Sequence, residues 1–165
     1  LQDRILSLAT IHRDLYQSQH GGMVNVGALV SEVVQKSIEI AISEDDSVTV
    51  QTDIEKVLLY PDQAVPLSLL TAEGVTNAIK YLGCEPGGKT WLKASLKQSN
   101  NICTLIIANS IGGHEESEST GLGAQLINAF AIQLGGQIDI ETENNSYVMT
   151  VTFKVADFDP EVPDF

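Results

Sequence analysis

Three polar residues with chemical potential lie on one side of a helical stretch in the middle of the chain. Glu73, Asn77 and Lys80 occur in LLTAEGVTNAIKY, and their spacing of i, i+4 and i+7 puts them on one helix face. A carboxylate there could polarise a nucleophile, an amide could hold Mg²⁺, and an ammonium group could hold phosphate oxygens. The same spacing also fits a solvated helix face with one Glu–Lys pair.

A second candidate is the turn Thr120-Gly121-Leu122-Gly123, which opens an apolar helical stretch. Glycine lets the backbone approach a ligand closely and adopt positive φ. The helix that follows directs its free N–H groups and the positive end of its dipole toward any anion. The turn therefore suits phosphate, although a flexible loop with an ordinary helix start is the alternative.

A third candidate is the end of the apolar stretch ICTLIIANS, over 102–110. A polar side chain that follows a buried strand, as Asn109 does, could contact the edge of a nucleobase. More often, such a side chain only marks the place where the strand meets solvent.

The elements that position these residues follow from the periodicity of apolar side chains. Helical spacing predicts helices over about 1–18, 26–43, 62–82 and 121–134. Alternation and short apolar runs predict strands near 47–52, 57–60, 90–98, 102–110, 135–143 and 146–155, the last pair turning at Asn144-Asn145. Asp62 is a candidate N-cap. Because the strands mostly come in adjacent pairs, we expect a mixed or antiparallel sheet covered by helices on one face, a two-layer α/β sandwich.

Composition limits the class of protein. The 165 residues fit one domain, and 43% hydrophobic residues can build a core. A net charge of −13 argues against an extended nucleic-acid surface. Cys84 and Cys103 do not form a close CxxC pair, so no metal site of that kind is expected. No apolar run approaches the roughly 20 residues that span a bilayer, and no signal peptide is visible, so we expect no membrane segment and a cytoplasmic location.

Taken in order, these segments resemble the GHKL ATPase superfamily and, within it, the catalytic domain of sensor histidine kinases. LLTAEGVTNAIKY is similar to the N box, and STGLGAQLINAFAIQLGGQIDIET is similar to the G2 box with its helix and strand. YPDQAVPLSLL resembles the lead-in of the HWE-type kinases and their close relatives, while RILSLATIHRDLYQS and VNVGALVSEVV resemble their second dimerisation helix and linker. The resemblance implies a Bergerat-type ATP-binding fold. It divides the chain into a dimerisation-type helix and turn (1–22), an ATP-binding catalytic domain (23–155) and an acidic tail (156–165).

The resemblance also implies the cofactors ATP and Mg²⁺ and a role for each matching residue. Asn77 would coordinate Mg²⁺, Glu73 would orient or activate the phosphoryl-transfer step, and Lys80 would contact phosphate. The remaining ATP-binding residues would be Asn109 and Thr150 near the adenine and, around the phosphates, Thr120, Gly121, Leu122 and Gly123.

The chain departs from the family pattern at the G1 box, which is normally Asp-x-Gly-x-Gly. The strand phasing places Asn109 at the Asp position and Ile111 at the first Gly, whereas a slip of one residue would place Ala108 at the Asp position. An amide oxygen can accept the hydrogen bond of the adenine amino group, but without a charge. Ile111 adds a branched side chain near the base. We therefore expect weaker ATP binding, or none.

The resemblance implies transfer of the γ-phosphoryl group of ATP to a histidine in two-component signalling. The partners would be a response regulator receiver domain and a second copy of the chain, joined through dimerisation helices. The phosphoacceptor motif matches only at His12-Arg13, so we expect the phosphoacceptor upstream of residue 1. The alternative is a degenerate kinase-like domain that serves as a docking or phosphotransfer scaffold. Asn109 and Ile111 in the G1 box favour it. Three loop glutamates would also repel a triphosphate unless cations compensate, and the alternative is that they point to solvent: Glu115, Glu116 and Glu118.

Overall fold

The computed structural model describes residues 22–44, 46–84, 87–112 and 121–157, in which pairs of strands are separated by helices. The elements are β1 (Val24–Asn25), α1 (Val26–Ala41), β2 (Thr49–Ile54), β3 (Leu58–Leu59), α2 (Pro61–Lys80), β4 (Trp91–Ser99), β5 (Ile102–Ser110), α3 (Leu122–Leu134), β6 (Gln137–Glu143) and β7 (Ser146–Lys154). The helix predicted over 1–18 lies outside the described residues.

Five strands form a mixed sheet in the order β2-β4-β5-β7-β6. Only β2 and β4 pair in parallel, and every other neighbouring pair in this sheet is antiparallel. The parallel pair is possible because α2 carries the chain back to the start of the sheet between the two strands. β1 and β3 form a separate two-stranded antiparallel pair.

The core lies between one face of this sheet and the three helices. Alternate residues of the central strands are buried on that face: Leu92, Ala94, Leu96, Cys103, Leu105, Ile107, Met149, Val151 and Phe153. They pack in one cluster with apolar residues of all three helices: Leu29, Val30, Leu67, Leu70, Val75, Ile127, Ala131 and Leu134. The predicted two-layer sandwich with a mixed sheet is therefore confirmed.

Local backbone chemistry explains where two of the elements turn or begin. Asn144 and Asn145 both have positive φ, 54° and 63°, which suits the tight turn of a two-residue hairpin loop. α2 begins with Pro61 at its first helical position and Tyr60 at the N-cap. Asp62, the predicted cap, instead lies in the first turn, because proline with its fixed φ and missing N–H suits the first position of a helix. No helix in the described ranges is long and apolar enough to cross a membrane.

Candidate nucleotide-binding site

The three polar residues of α2 become progressively more exposed along the helix. Glu73 is only 5% exposed, Asn77 is half-buried and Lys80 is exposed. The Lys80 ammonium lies 5.2 Å from the centroid of the Tyr81 ring, which is within the range of a cation–π contact. The simple solvated face that the spacing also allowed does not describe Glu73.

A glycine beside Glu73 brings α2 close to the sheet. A Cβ atom added to Gly74 would lie 2.9 Å from both Ile107 Cδ1 and Met149 Cε. Such a distance is shorter than real Cβ contacts, so the missing side chain allows the helix to pack directly on β5 and β7. Glu73, the residue before Gly74, is buried in this closely packed part of α2.

The N-terminus of α3 lies against Asn77. A Cβ atom on Gly123 would be 3.1 Å from Asn77 Oδ1 and 3.6 Å from its Nδ2, so a side chain there would require the amide to shift by a few tenths of an ångström. Gly121, the N-cap, has φ of 93° and ψ of −36°, and no described side chain caps the helix. The Leu122 side chain is 54% exposed. The structure thus brings together the Asn77 amide and Gly123 at the start of α3, while Thr120 and the loop glutamates lie outside the described residues.

Asn109 is completely buried and faces the helix layer. It shares the inward side of β5 with Ile107, whereas Ala108 points to the opposite face of the sheet. The Asn109 Nδ2 group donates a hydrogen bond of 3.0 Å to the Ser110 carbonyl oxygen. Its Oδ1 atom is buried without a partner among the described residues. A buried acceptor without a donor costs about 1–3 kcal/mol, so this atom suits an N–H group of a ligand.

Hydrogen bonds of Ser110 join the end of β5, next to Asn109, to the segment after α2 and to the start of β4. Its hydroxyl donates to the Gly83 carbonyl oxygen at 2.6 Å and accepts from the Trp91 backbone N–H at 2.9 Å. The Ser110 carbonyl oxygen also accepts from the Gly83 N–H at 2.9 Å. A side chain on Gly83 would clash with the Gly112 nitrogen, so the chain after α2 is pressed against the end of β5. Sequence reasoning missed this role of Ser110, whose only signal was a hydroxyl at a strand end.

β7 presents Tyr147, and not Thr150, to the helix side of the sheet. Tyr147 pairs in register with Asn109, whereas Thr150 pairs with Ile106 on the opposite face. Thr150 is therefore not brought to the other candidate residues. Tyr147 is half-buried, and burial raises the pKa of its hydroxyl, with a smaller contribution from Tyr81. Tyr147 was not anticipated, because only the strand register reveals what lies opposite Asn109.

The side chains around α2 can serve a magnesium ion only together with a ligand. The described residues contain no group of three or more His, Cys, Asp or Glu that could hold a metal by itself. Mg²⁺ keeps several waters and is usually bound by one or two protein oxygens plus substrate phosphates. Asn77 with an adjacent helix N-terminus fits that arrangement, since the amide supplies the oxygen and the backbone N–H groups suit phosphate.

Comparison with known proteins agrees with this architecture. Residues 1–41 match a family model described as histidine kinase. No similarity to a curated protein reaches significance.

Solved histidine kinase structures superpose over most of the chain. The histidine kinase domain of the Erythrobacter litoralis EL346 blue-light activated histidine kinase gives a TM-score of 0.81 at 12% identity, covering 93% of this chain and 74% of that chain. In a longer structure of the same kinase the TM-score is 0.78 at 13% identity, over 92% of this chain and 47% of the other. For Acinetobacter baumannii histidine kinase AdeS the TM-score is 0.64 at 19% identity, over 93% of this chain and 77% of that chain. The resemblance predicted from the sequence is thus confirmed at the level of fold, and the chain has the fold of the histidine kinase catalytic domain.

Proposed function

We propose that this chain is the ATP-binding catalytic domain of a sensor histidine kinase, which transfers the γ-phosphoryl group of Mg·ATP to a histidine. The observation that carries the proposal is the approach of Gly123 to the Asn77 amide, with Oδ1 3.1 Å from a Cβ built on the glycine. It joins a Mg²⁺-compatible oxygen to an anion-compatible helix N-terminus at one place. Neither segment makes a convincing phosphate site without the other.

The phosphate end of the proposed site depends on positioning and charge neutralisation. The N–H groups at the start of α3 would bind phosphate oxygens, and the exposed Lys80 ammonium would neutralise part of their charge. Asn77 would hold Mg²⁺, which lowers the charge on the β- and γ-phosphates. Because phosphoryl transfer requires little covalent chemistry from the protein, these contacts account for most of the expected acceleration.

The transfer step exchanges one bond for another at the γ-phosphorus. An imidazole nitrogen of the acceptor histidine forms a bond to phosphorus, the bond to the β,γ-bridging oxygen breaks, and ADP leaves with that electron pair. Glu73 is the buried carboxylate nearest to Asn77 on the same helix face. It would orient the acceptor imidazole and accept a hydrogen bond from its other N–H.

The base would be bound at the end of β5. The Nδ2 group of Asn109 is engaged by the Ser110 carbonyl oxygen, so Oδ1 is the atom left for a ligand. This acceptor matches an exocyclic amino group, as in adenine, and would reject a carbonyl at the same edge. An uncharged acceptor makes a weaker hydrogen bond than a carboxylate does, which supports an affinity for ATP below that of Asp-containing relatives.

A scaffold without catalysis is the second candidate, and the burial of Asn109 favours it. Since Asn109 has no exposed surface, a base cannot reach Oδ1 unless neighbouring atoms move. In that case the domain would bind nucleotide weakly or not at all and would serve in docking or histidine phosphotransfer.

The proposed partners follow from the kinase assignment. A response regulator receiver domain would take the phosphoryl group from the histidine, and dimerisation helices would join two copies of the protein. The chain spans about half of the longer EL346 structure that it matches, 47%.

Calorimetry with Mg²⁺ and a non-hydrolysable ATP analogue tests the proposal. We expect Asn77→Ala to weaken binding by about 100-fold, because a metal ligand and the contact with α3 are lost together. Asn128→Ala on the exposed side of α3 is the matched control and should bind as the parent does. Tight binding by the Asn77→Ala variant would overturn the assignment of the site. No binding by the parent protein at millimolar nucleotide would favour the scaffold.

A further inference from the structure

The base end of the site contains an acceptor that is hidden from solvent. Asn109 has 0% exposure, and its Oδ1 atom has no partner among the described residues. An acceptor meant for a ligand normally meets water when the ligand is away, since water satisfies it at little cost. Something must therefore cover this atom in the nucleotide-free protein.

Strand register identifies the side chain that lies directly opposite Asn109. Tyr147 of β7 is its antiparallel partner, and both residues point toward the helix layer. Side chains directly opposite on neighbouring strands have Cβ atoms only about 4.5–5.5 Å apart. A phenol ring is long enough to extend across such a neighbour.

The segment that follows α2 is hydrogen-bonded to the end of β5, beside Asn109. The Gly83 N–H and carbonyl both bond to Ser110, which holds the segment after α2 against the residue next to Asn109. Tyr81 lies two residues before Gly83. Its phenol contributes to the raised pKa of Tyr147, which agrees with two phenols converging at this end of the sheet.

We propose that the ring of Tyr147 covers Asn109 and thereby sets the affinity of the site for nucleotide, an inference that rests on the proposed function. A base reaches Asn109 Oδ1 only after this ring rotates away from its half-buried position. The cost of that rotation is subtracted from the binding free energy at the base end, while the phosphate contacts near Asn77 are unaffected. Tyr147 therefore determines affinity rather than the chemistry of transfer.

Two measurements on the same variants test this cover. The first is the affinity for Mg·ADP by calorimetry, and the second is the hydrogen-exchange rate of the Asn109 side-chain amide by NMR without nucleotide. We expect Tyr147→Thr, which keeps a β-branched residue in the strand, to bind Mg·ADP about tenfold more tightly. We also expect its Asn109 amide to exchange at least about tenfold faster, because water reaches it.

Matched variants distinguish the effect of losing the Tyr147 ring from the effect of changing a residue of β7. Tyr147→Val removes the ring but keeps more apolar area, so it should behave as Tyr147→Thr does if the latter is too unstable to study. Tyr147→Phe keeps the ring and should match the parent protein in both measurements. Val148→Thr changes the next residue, which points to the opposite face, and should also match the parent.

The outcomes distinguish the proposal that Tyr147 covers Asn109 from the proposal that the chain is a kinase domain. Faster amide exchange together with tighter binding supports the cover. Unchanged exchange, or affinity that stays the same or falls when the ring is removed, overturns it. If amide exchange accelerates but neither parent nor variants bind Mg·ADP, both the affinity role of Tyr147 and the proposed function fail. If the parent binds in an Asn77-dependent manner and the Tyr147 variants bind no better, only the cover fails.

Discussion

The two ends of the candidate site are built in opposite ways. At the phosphate end the approach of α3 to α2 depends on the missing side chain of Gly123, which lies against Asn77, while Gly121 begins the helix at positive φ. At the base end the space is occupied by side chains, with Asn109 fully buried and Tyr147 in register beside it. One end is an open arrangement of backbone and a single amide, and the other is closed.

This difference shows which part of the candidate site can change in sequence while the fold is kept. Backbone N–H groups at a helix N-terminus suit anions, and the residue types of the helix do not change these donors. Base recognition depends on individual side chains, which can be exchanged while the sheet and helices stay in place. A TM-score of 0.81 at 12% identity illustrates how far the sequence can vary under one fold. If the domain binds nucleotide as proposed, side-chain changes at the base end could adjust its affinity while the fold stays intact.

The largest expected effect is at the phosphate end. Gly123→Ala should weaken Mg·nucleotide binding by between about tenfold and a hundredfold, because the new methyl group displaces the Asn77 amide. Stability should stay the same or rise slightly, since alanine favours a helix by up to about 1 kcal/mol over glycine. Calorimetry and urea denaturation measure the two effects separately.

The reverse change on the same helix is the control for this substitution. Ala129→Gly at an exposed position should lower the unfolding free energy by about 1 kcal/mol and leave nucleotide binding unaltered. If Gly123→Ala weakens binding only in proportion to lost stability, the contact with Asn77 is not what makes the phosphate end.

A smaller effect of opposite sign is expected at the base end. At a pH above the folded-state pKa of the new carboxyl group, Asn109→Asp supplies a charged acceptor and should tighten Mg·ADP binding by roughly fivefold. Without nucleotide the unfolding free energy should fall by about 1–3 kcal/mol, because an acceptor replaces the Nδ2 donor that faces the Ser110 carbonyl oxygen. Calorimetry and thermal denaturation check both parts.

The pH dependence of that variant gives a further check. Burial should raise the pKa of the new carboxyl group in the folded state above its unfolded value of about 4. The folded state then holds the proton longer, so stability should be lost as pH rises from about 4 through the folded pKa. Asn128→Asp at an exposed site should lack this dependence. Weaker Mg·ADP binding by Asn109→Asp would mean that Oδ1 does not face the base.

The smallest effect on nucleotide binding is expected from a substitution in the hydrophobic core beneath both ends of the site. Burial raises the pKa of the Cys103 thiol to about 12. Because the unfolded thiol titrates near 8.5, the folded state retains the proton, and this stability should be lost as pH rises from about 9 toward 12. Cys103→Ala should flatten that part of the stability curve and leave nucleotide affinity unchanged. The exposed Cys84, changed to alanine, is the control and should keep the slope.

Local patterns predicted most of the elements and the pairing of two hairpins. Periodicity placed α2 within two residues at its C-terminus, and adjacent apolar runs predicted β4 with β5 and β6 with β7. The spacing of Glu73 and Asn77 survives in the structure because a helix fixes relative positions from sequence alone.

Features that depend on two distant segments were not available from the sequence. The parallel pairing of β2 with β4 requires the path of α2, which no local pattern contains. Thr150 was predicted near the base, but its register with Ile106 places it on the other face of the sheet. A shift of one position exchanges the two faces of a strand, so Tyr147 could be recognised only after pairing was known.

The parallel pairing of β2 also has a consequence for the order in which the protein assembles. Short turns join β4 to β5 and β6 to β7, so these strands can pair soon after they meet. β2 and β4 are separated in sequence by the whole of α2, and long-range parallel pairing is slow. Among the described strands β2 lies at the edge of the sheet, and most of its residues are exposed. The hairpins should therefore form early and β2 should dock last, so amide hydrogens of β2 should exchange with solvent long before those of β5.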